Sequence, residues 1–441
     1  MDVFELETDN SGEVNDKLQS LSISTGRSLP INITTKPKHA NFHFTDVTGI
    51  SGIDDEEDNE AVDETESPQT YYGNDAPIKP HQRRHSTSQS VSVEIGDIFR
   101  ASAKPKKRAS DFEQLKVLGV GAYGKVMLVR DIHTNKLYAQ KQLKKASIVI
   151  EQRMVKQTMF ERQILESVKH PYIVKLHYAI QDQHKLYLIL QYAQGGELFT
   201  HLAAERMFSE DCAAFYGAQA ASALCHLHKN GILYRDLKPE NCLLDEKGNL
   251  LLTDFGLSKI AENDATCNSM LGTPEYMAPE VLMGEPYDYT VDWWSFGALL
   301  YDFMTGNPPF TGANKDRVVK KIVGQKYKAN MPYYLSADAK DLLRRLLRKE
   351  PQRRLGYKQF DTIKSHRFFR LINWDDIEHH KDKLDPPIKP LLGDPLDALN
   401  FSAEFTGMAM SPAPNPDLPH LYEKDIFHGF SYSGSVPKEL Q

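Results

Sequence analysis

The stretch "LYRDLKPENCLLDEKGNLLLTDFG", Leu233 to Gly256, constrains this chain more than any other. It sets Asp236, Lys238, Asn241 and Asp254 at fixed separations around short apolar runs and a polar turn. That set suits phosphoryl transfer, which asks a protein for positioning and charge neutralisation more than for covalent chemistry. A carboxylate must orient a hydroxyl and accept its proton, which fits Asp236. An ammonium beside the γ-phosphate fits Lys238. Hard oxygen ligands for Mg²⁺ fit Asn241 and Asp254.

Upstream, "LGVGAYGKV" carries Gly119, Gly121 and Gly124. A dinucleotide loop needs strand, glycines, then helix. Here the glycines fall between two strand-like runs, which suits a flap whose backbone N–H groups cover phosphates. Lys141 follows inside the strand-like "LYAQKQL". A mid-strand lysine is ordinarily just an outward-facing residue. Glu161, on the next helical segment, gives it a partner that holds it against phosphate oxygens.

The texture of the chain places these motifs. Residues 1 to about 110 lack periodicity and are rich in Ser, Thr, Asp, Asn and Pro, which predicts disorder. From Asp111, short β-favouring runs ("FEQLKVLGV", "GKVMLVRD", "KLYAQKQL", "IVKLHYAI", "KLYLILQY") surround one helical segment, "EQRMVKQTMFERQILESVKH". After Gly195 the pattern is mostly helical, as in "SEDCAAFYGAQAASALCHLHKNG", opened by a Ser cap and closed by Gly231. From about 370 the chain is irregular and Pro-rich. A small β-rich lobe therefore precedes a larger helical one.

Charge and composition exclude several classes. Residues 54–66 hold nine acids and no base, so a net charge of −7 leaves the rest of the chain at +2. A near-neutral fold argues against direct nucleic-acid binding, although basic patches occur at "HQRRHSTS" and "KPKKRAS", the second fitting a nuclear import signal or a basic linker equally. Cys212, Cys225, Cys242 and Cys267 form no C-x-x-C pair, which argues against a metal framework. The acidic start lacks an apolar leader and no run of about 18 apolar residues occurs, so the expectation is a protein of cytoplasm and nucleus without a membrane span.

Taken jointly, R-D-x-K-x-x-N, D-F-G, Ala278-Pro279-Glu280 and the Lys141–Glu161 pair occur in one order, and over residues 112–369 the sequence resembles the eukaryotic protein kinases. The resemblance implies an α+β, bilobal fold: N-lobe 112–190, C-lobe 195–369, then a regulatory tail over 370–441. It implies ATP and Mg²⁺ as cofactors. Nucleotide contacts fall on Leu118, Gly119, Val120, Gly121, Ala122, Tyr123, Gly124, Val126, Lys141, Gln191, Ala193 and Glu197. Asp292 would brace the catalytic loop, Arg354 would pair with Glu280, and Leu165, Leu176, Tyr234 and Phe255 would form an internal spine. Three departures from the pattern occur: Tyr234 for the usual His, Leu271 for a Cys, and the pair Gln140 and Gln142 beside Lys141, which are expected to loosen the packing of the small lobe.

Tyr234 is typical of the AGC serine/threonine branch. "LGVGAYGKVMLV", "GGELFTHL", "LTDFGLSK" and "INWDD" resemble the N-terminal kinase domain of the mitogen- and stress-activated protein kinases and the related ribosomal-protein kinases. Those relatives carry a second kinase domain downstream, whereas this sequence ends at Gln441; a shortened form and a single-domain relative both fit. The likeness implies protein substrates with upstream Arg, selected by Glu197 and Glu240 with Asp302 as a third acid. It implies a monomer switched on by upstream kinases at Ser269, with Arg235 and Lys259 as phosphate partners, and at Ser411 and Ser431. The motif "FHGFSY" would dock Phe427, Phe430 and Tyr432 on the small lobe, and Phe401 and Phe405 would pack near the nucleotide cleft. The alternative, a catalytically weak kinase-fold scaffold, is opposed by the completeness of Lys141, Glu161, Asp236, Asn241 and Asp254.

Overall fold

A computed structural model describes residues 107–121, 124–260, 272–409 and 426–434. The predicted N-terminal disorder, Ala122, Tyr123, Ser269, Leu271 and Ser411 lie outside these described residues.

The small lobe is an antiparallel sheet with one long helix against it. Its strands are β1 (Phe112–Gly121), β2 (Gly124–Asp131), β3 (Leu137–Lys144), β4 (Leu176–Gln181) and β5 (Lys185–Leu190). Between β3 and β4 run α1 (Lys145–Val149) and α2 (Gln152–Ser167). The sheet order is β1-β2-β3-β5-β4, with a sixth strand from the tail beyond β4. Alternation on β3 sends Lys141 and Ala139 to the face toward α2 and the cleft, and Gln140 and Gln142 to the other. The expectation that these glutamines loosen the lobe is not met. Both are buried, Gln142 Nε2 donates to Gln140 Oε1 at 2.7 Å, and Lys185 Nζ donates to Gln142 Oε1 at 3.0 Å. Buried amides that satisfy each other cost little.

The large lobe begins with β6 (Gly196–Glu197), α3 (Leu198–Glu205) and α4 (Glu210–Lys229). Ser209 caps α4 by accepting from the Cys212 amide at 3.2 Å, as its position before the apolar run predicts. Gly231 then ends the helix with φ +71°, a conformation that favours glycine. Short strands β7 (Ile232–Leu233), β8 (Cys242–Leu244), β9 (Leu250–Leu252) and β10 (Lys259–Ile260) carry the catalytic segments. The remaining helices are α5 (Pro279–Leu282), α6 (Thr290–Thr305), α7 (Lys315–Val323), α8 (Ala337–Leu346), α9 (Asp361–Lys364) and α10 (Trp374–His379). α6 is buried along nearly its whole length, which makes it the axis of the lobe. Arg354 and Glu280 form a buried two-bond ion pair at 2.7 and 2.9 Å.

The tail returns to the small lobe. α11 (Ala403–Thr406) packs on β1, and β11 (Tyr432–Ser433) pairs antiparallel with β4 through Tyr432 opposite Ala179. Phe427 and Phe430 are 3% and 0% exposed and belong to the main core. Phe405 differs from expectation: it packs against the apolar cluster that includes Phe112 and Tyr138 on the outer face of the sheet, away from the cleft.

Candidate active site

The cleft lies between the two lobes. Leu118, Gly119, Val120, Gly121 and Val126 form its roof, Ala139 and Lys141 its back wall, and Gln191, Ala193 and Glu197 its rear edge. Gly124 opens onto the adjoining space toward α2. A Cβ at Gly124 would lie 1.8 Å from the backbone oxygen of Gln142, so no side chain fits there.

Lys141 is the electrostatic hub. Its Nζ lies 2.6 Å from Glu161 Oε1 and 3.0 Å from Asp254 Oδ1. Burial alone would lower the ammonium's pKa; the carboxylates of Asp254 and Glu161 outweigh it and hold the pKa above the ordinary lysine range. Lys141 in turn holds the Asp254 carboxyl below its ordinary value. A charged lysine and an ionised, half-exposed aspartate therefore face the same cavity.

The catalytic loop is fixed from beneath. Asp292, fully buried on α6, accepts the backbone amides of Tyr234 at 2.9 Å and Arg235 at 2.7 Å. This holds Arg235 in the left-handed region at φ +64°, and Asp254 sits there too at φ +57°. Non-glycine residues in that region are strained, and such strain clusters at functional sites. Lys238 Nζ lies 2.9 Å from both oxygens of Asp236 and 3.5 Å from Thr273 Oγ1. Asn241 Nδ2 donates to the Asp236 backbone oxygen at 2.8 Å and to Oδ2 at 2.7 Å, so its amide oxygen takes no part in these bonds. Burial pushes the Asp236 carboxyl up, opposed by Lys238 and Asn241; a raised carboxylate is a better proton acceptor.

The spine positions are assembled as expected. Leu165, Leu176, Tyr234 and Phe255 are all buried, and the Tyr234 and Phe255 rings meet edge-on at 5.2 Å. The Tyr234 hydroxyl donates to the Thr253 backbone oxygen, 2.5 Å away, so the departure from His gains a bond to the strand leading to Asp254.

Glu197 and Glu240 both line the cleft mouth, and burial followed by the Glu240 charge raises the Glu197 carboxyl. Asp302 is buried on α6, accepts the Tyr276 hydroxyl at 2.6 Å, and lies near enough to Glu240 for that charge to raise its carboxyl. Arg235 donates to Leu257 O at 2.6 Å and to the Tyr287 hydroxyl at 3.0 Å. Lys259 lies on β10, paired with Leu233 two residues before Arg235. Ser431 is exposed at the start of the tail strand.

Several cleft residues escaped the sequence reading: Ala139, Val174, Leu190, Tyr192, Leu243 and Thr253. Ala139 was accessible in principle, since it shares the face of Lys141 two residues away. Phe401 reaches the cleft as expected, stacked on Tyr192 at 5.9 Å.

The family model described as the protein kinase domain matches residues 112–369. Ribosomal protein S6 kinase alpha-2 of Homo sapiens is 46% identical over 337 residues, covering 75% of this chain and 45% of the relative. Ribosomal protein S6 kinase alpha-6 of Homo sapiens is 46% identical over 342 residues, covering 76% and 45%. The chain thus spans about half the length of the curated relatives it matches.

Proposed function

The chain belongs to the protein kinase family, and from that premise we propose that it is an active serine/threonine kinase that phosphorylates proteins at sites preceded by arginine. The observation that carries this reading is the triad Glu161–Lys141–Asp254, closed at 2.6 and 3.0 Å above an ordered Asp236. A scaffold that had lost catalysis has no need to hold three charges together at the cost of desolvation. Among the described residues no helix is long and apolar enough to cross a membrane, which fits protein substrates reached without one.

In this reading residues 112–369 are the catalytic unit and 370–441 its regulatory tail. Lys141, seated by Glu161, holds the nucleotide phosphates. Asp236 orients the acceptor hydroxyl and takes its proton, while Lys238 steadies the transferring group. Asn241, through its unused amide oxygen, and Asp254, through its ionised carboxylate, would hold Mg²⁺; when bound, that ion neutralises charge on the phosphates. The adenine end would lie between Val126, Ala139 and Leu243, with Phe401 closing the edge. Glu197 and Glu240 favour upstream arginines by simple complementarity.

Ser269 is the proposed activation site in this chain, with Arg235 and Lys259 receiving its phosphate; Ser411 and Ser431 are the proposed tail sites, all acted on by upstream kinases. The mitogen and stress context, a monomeric state, and residence in cytoplasm and nucleus are part of the same proposal. Transfer of labelled γ-phosphate to an R-x-x-S peptide tests it. Lys141→Met and Asp254→Ala should each abolish transfer. Equal labelling by wild type and both variants, or no preference for upstream Arg across a peptide array, would refute it.

A further inference from the structure

A second charged surface lies outside the cleft. α7 packs Val318 and Ile322 into the layer that also holds Met277, Ala278 and Leu282. The helix therefore backs the Gly272–Tyr276 segment, whose Thr273 reaches Lys238 at 3.5 Å. Away from that layer the helix is basic. Lys315, Arg317 and Lys320 are exposed, and exposed Lys326 and Lys328 follow its end; Asp316 is the one acid in 315–328. None of these five cations forms an ion pair among the described residues.

Helix energetics do not account for this face. Cations suit a last turn, where Lys320 and Lys321 lie, but Lys315 and Arg317 stand in the first turn, where positive charge opposes the helix dipole. Arg317 also precedes Lys320 and Lys321 by three and four residues, the spacings at which like charges repel. Solubility is served as well by mixed signs. Unpaired like charges held beside the segment that reaches Lys238 are explained by a negative partner.

We propose that this face docks an acidic segment of the protein substrate itself, lying on the far side of the acceptor from its arginines. The inference rests on the function proposed above and adds to it a second, distal specificity element. Location selects the source. A segment tethered to an acceptor already in the cleft meets α7 at high effective concentration. Nucleic acid or an anionic lipid surface has no such tether, and near the cleft it meets the carboxylates of Glu197 and Glu240.

The test uses the full chain and three substrates: an R-x-x-S peptide, the same peptide joined through about ten Gly/Ser residues (a reach of roughly 17 Å) to six glutamates, and a control ending in six serines. The wild type should favour the glutamate substrate over the serine control about tenfold in kcat/KM, through KM, and lose the preference at high salt. The triple variant Arg317→Ser, Lys320→Ser, Lys328→Ser should erase the preference and leave the short peptide's rate unchanged. No glutamate preference in the wild type, or one that survives in the variant, overturns the proposal. If the wild type fails on the short peptide, the proposed function falls instead. Fluorescence anisotropy of the labelled glutamate block, wild type against variant, then decides docking alone: binding lost in the variant upholds it, and equal or absent binding overturns it. Tighter variant-sensitive binding of single-stranded RNA or phosphatidylserine vesicles than of the glutamate block also overturns it.

Discussion

Arg162 donates from Nε to the backbone oxygen of Phe430 at 3.0 Å, one residue along α2 from the Glu161 that seats Lys141. The same guanidinium lies over the Tyr432 ring at 5.6 Å and pairs with Glu166. Gln181 adds a bond from its amide to Phe427 O at 3.2 Å. The helix that holds Lys141 through Glu161 is thus also the floor on which the tail lies.

Arg162→Ala should loosen the tail without touching the catalytic charges. A hydrogen bond from a charged donor contributes about 1.5–3 kcal/mol, so hydrogen exchange across β4, the strand that pairs with Tyr432, should quicken roughly tenfold or more. Unchanged protection over residues 176–181 would show that Arg162 does not hold the tail.

Phe430→Ala should release the tail outright. Phe-to-Ala changes in a core cost about 3–5 kcal/mol, while each docked aromatic returns only about 1.5–3 kcal/mol before ordering entropy. The variant's kcat/KM should therefore fall to that of a chain lacking residues 426–441. Full stimulated activity in Phe430→Ala would separate the tail from catalysis.

Arg354→Met strands Glu280 in a dry interior, since both side chains are almost fully buried. Breaking such a pair costs about 3–5 kcal/mol, whereas removing both partners costs far less. Denaturant midpoints should drop sharply for Arg354→Met and recover much of the loss in Arg354→Met with Glu280→Leu. Equal losses for the single and double variants would contradict this.

Asp302 sets a pH dependence. Burial raises its carboxyl to about 6, against the Tyr276 bond that lowers it, with Glu240 adding to the rise. The folded state binds a proton there more tightly than the unfolded chain, so this group favours folding more as pH falls from about 6 toward 4, and opposes it above. A shift of this size corresponds to about 3 kcal/mol across that window. Asp302→Asn, which keeps an acceptor for Tyr276, should be more stable than wild type at pH 7.5 and lose that advantage at pH 4.5. A stability difference that ignores pH would rule this out.

The candidate catalytic residues were legible because the chemistry proposed for them groups them in short, ordered segments: Asp236, Lys238 and Asn241 fall within six positions. Asp292 and Arg354 needed the family resemblance, because their partners lie 57 to 74 positions away in the chain. The burial of Asp302 and its bond to Tyr276 were not legible: α6 is apolar around most of its circumference, so no amphipathic stripe marks which side an isolated carboxylate faces. Phe401 and Phe405 are four residues apart yet reach opposite faces of one sheet, a separation set by the path of α11 rather than by any local pattern. Gln140 and Gln142 look polar in sequence and are buried as a bonded chain with Lys185, a fact held in the distances between side chains.

The sheet order ends β5-β4-β11, so the short tail strand covers one flank of β4. Remove it and β4 becomes a terminal strand with open backbone donors and acceptors, beside the vacated socket of Phe427 and Phe430. Bare strand flanks invite pairing with other chains. A form with the strand released would then be the one prone to pair with other chains, and the docked strand closes that flank.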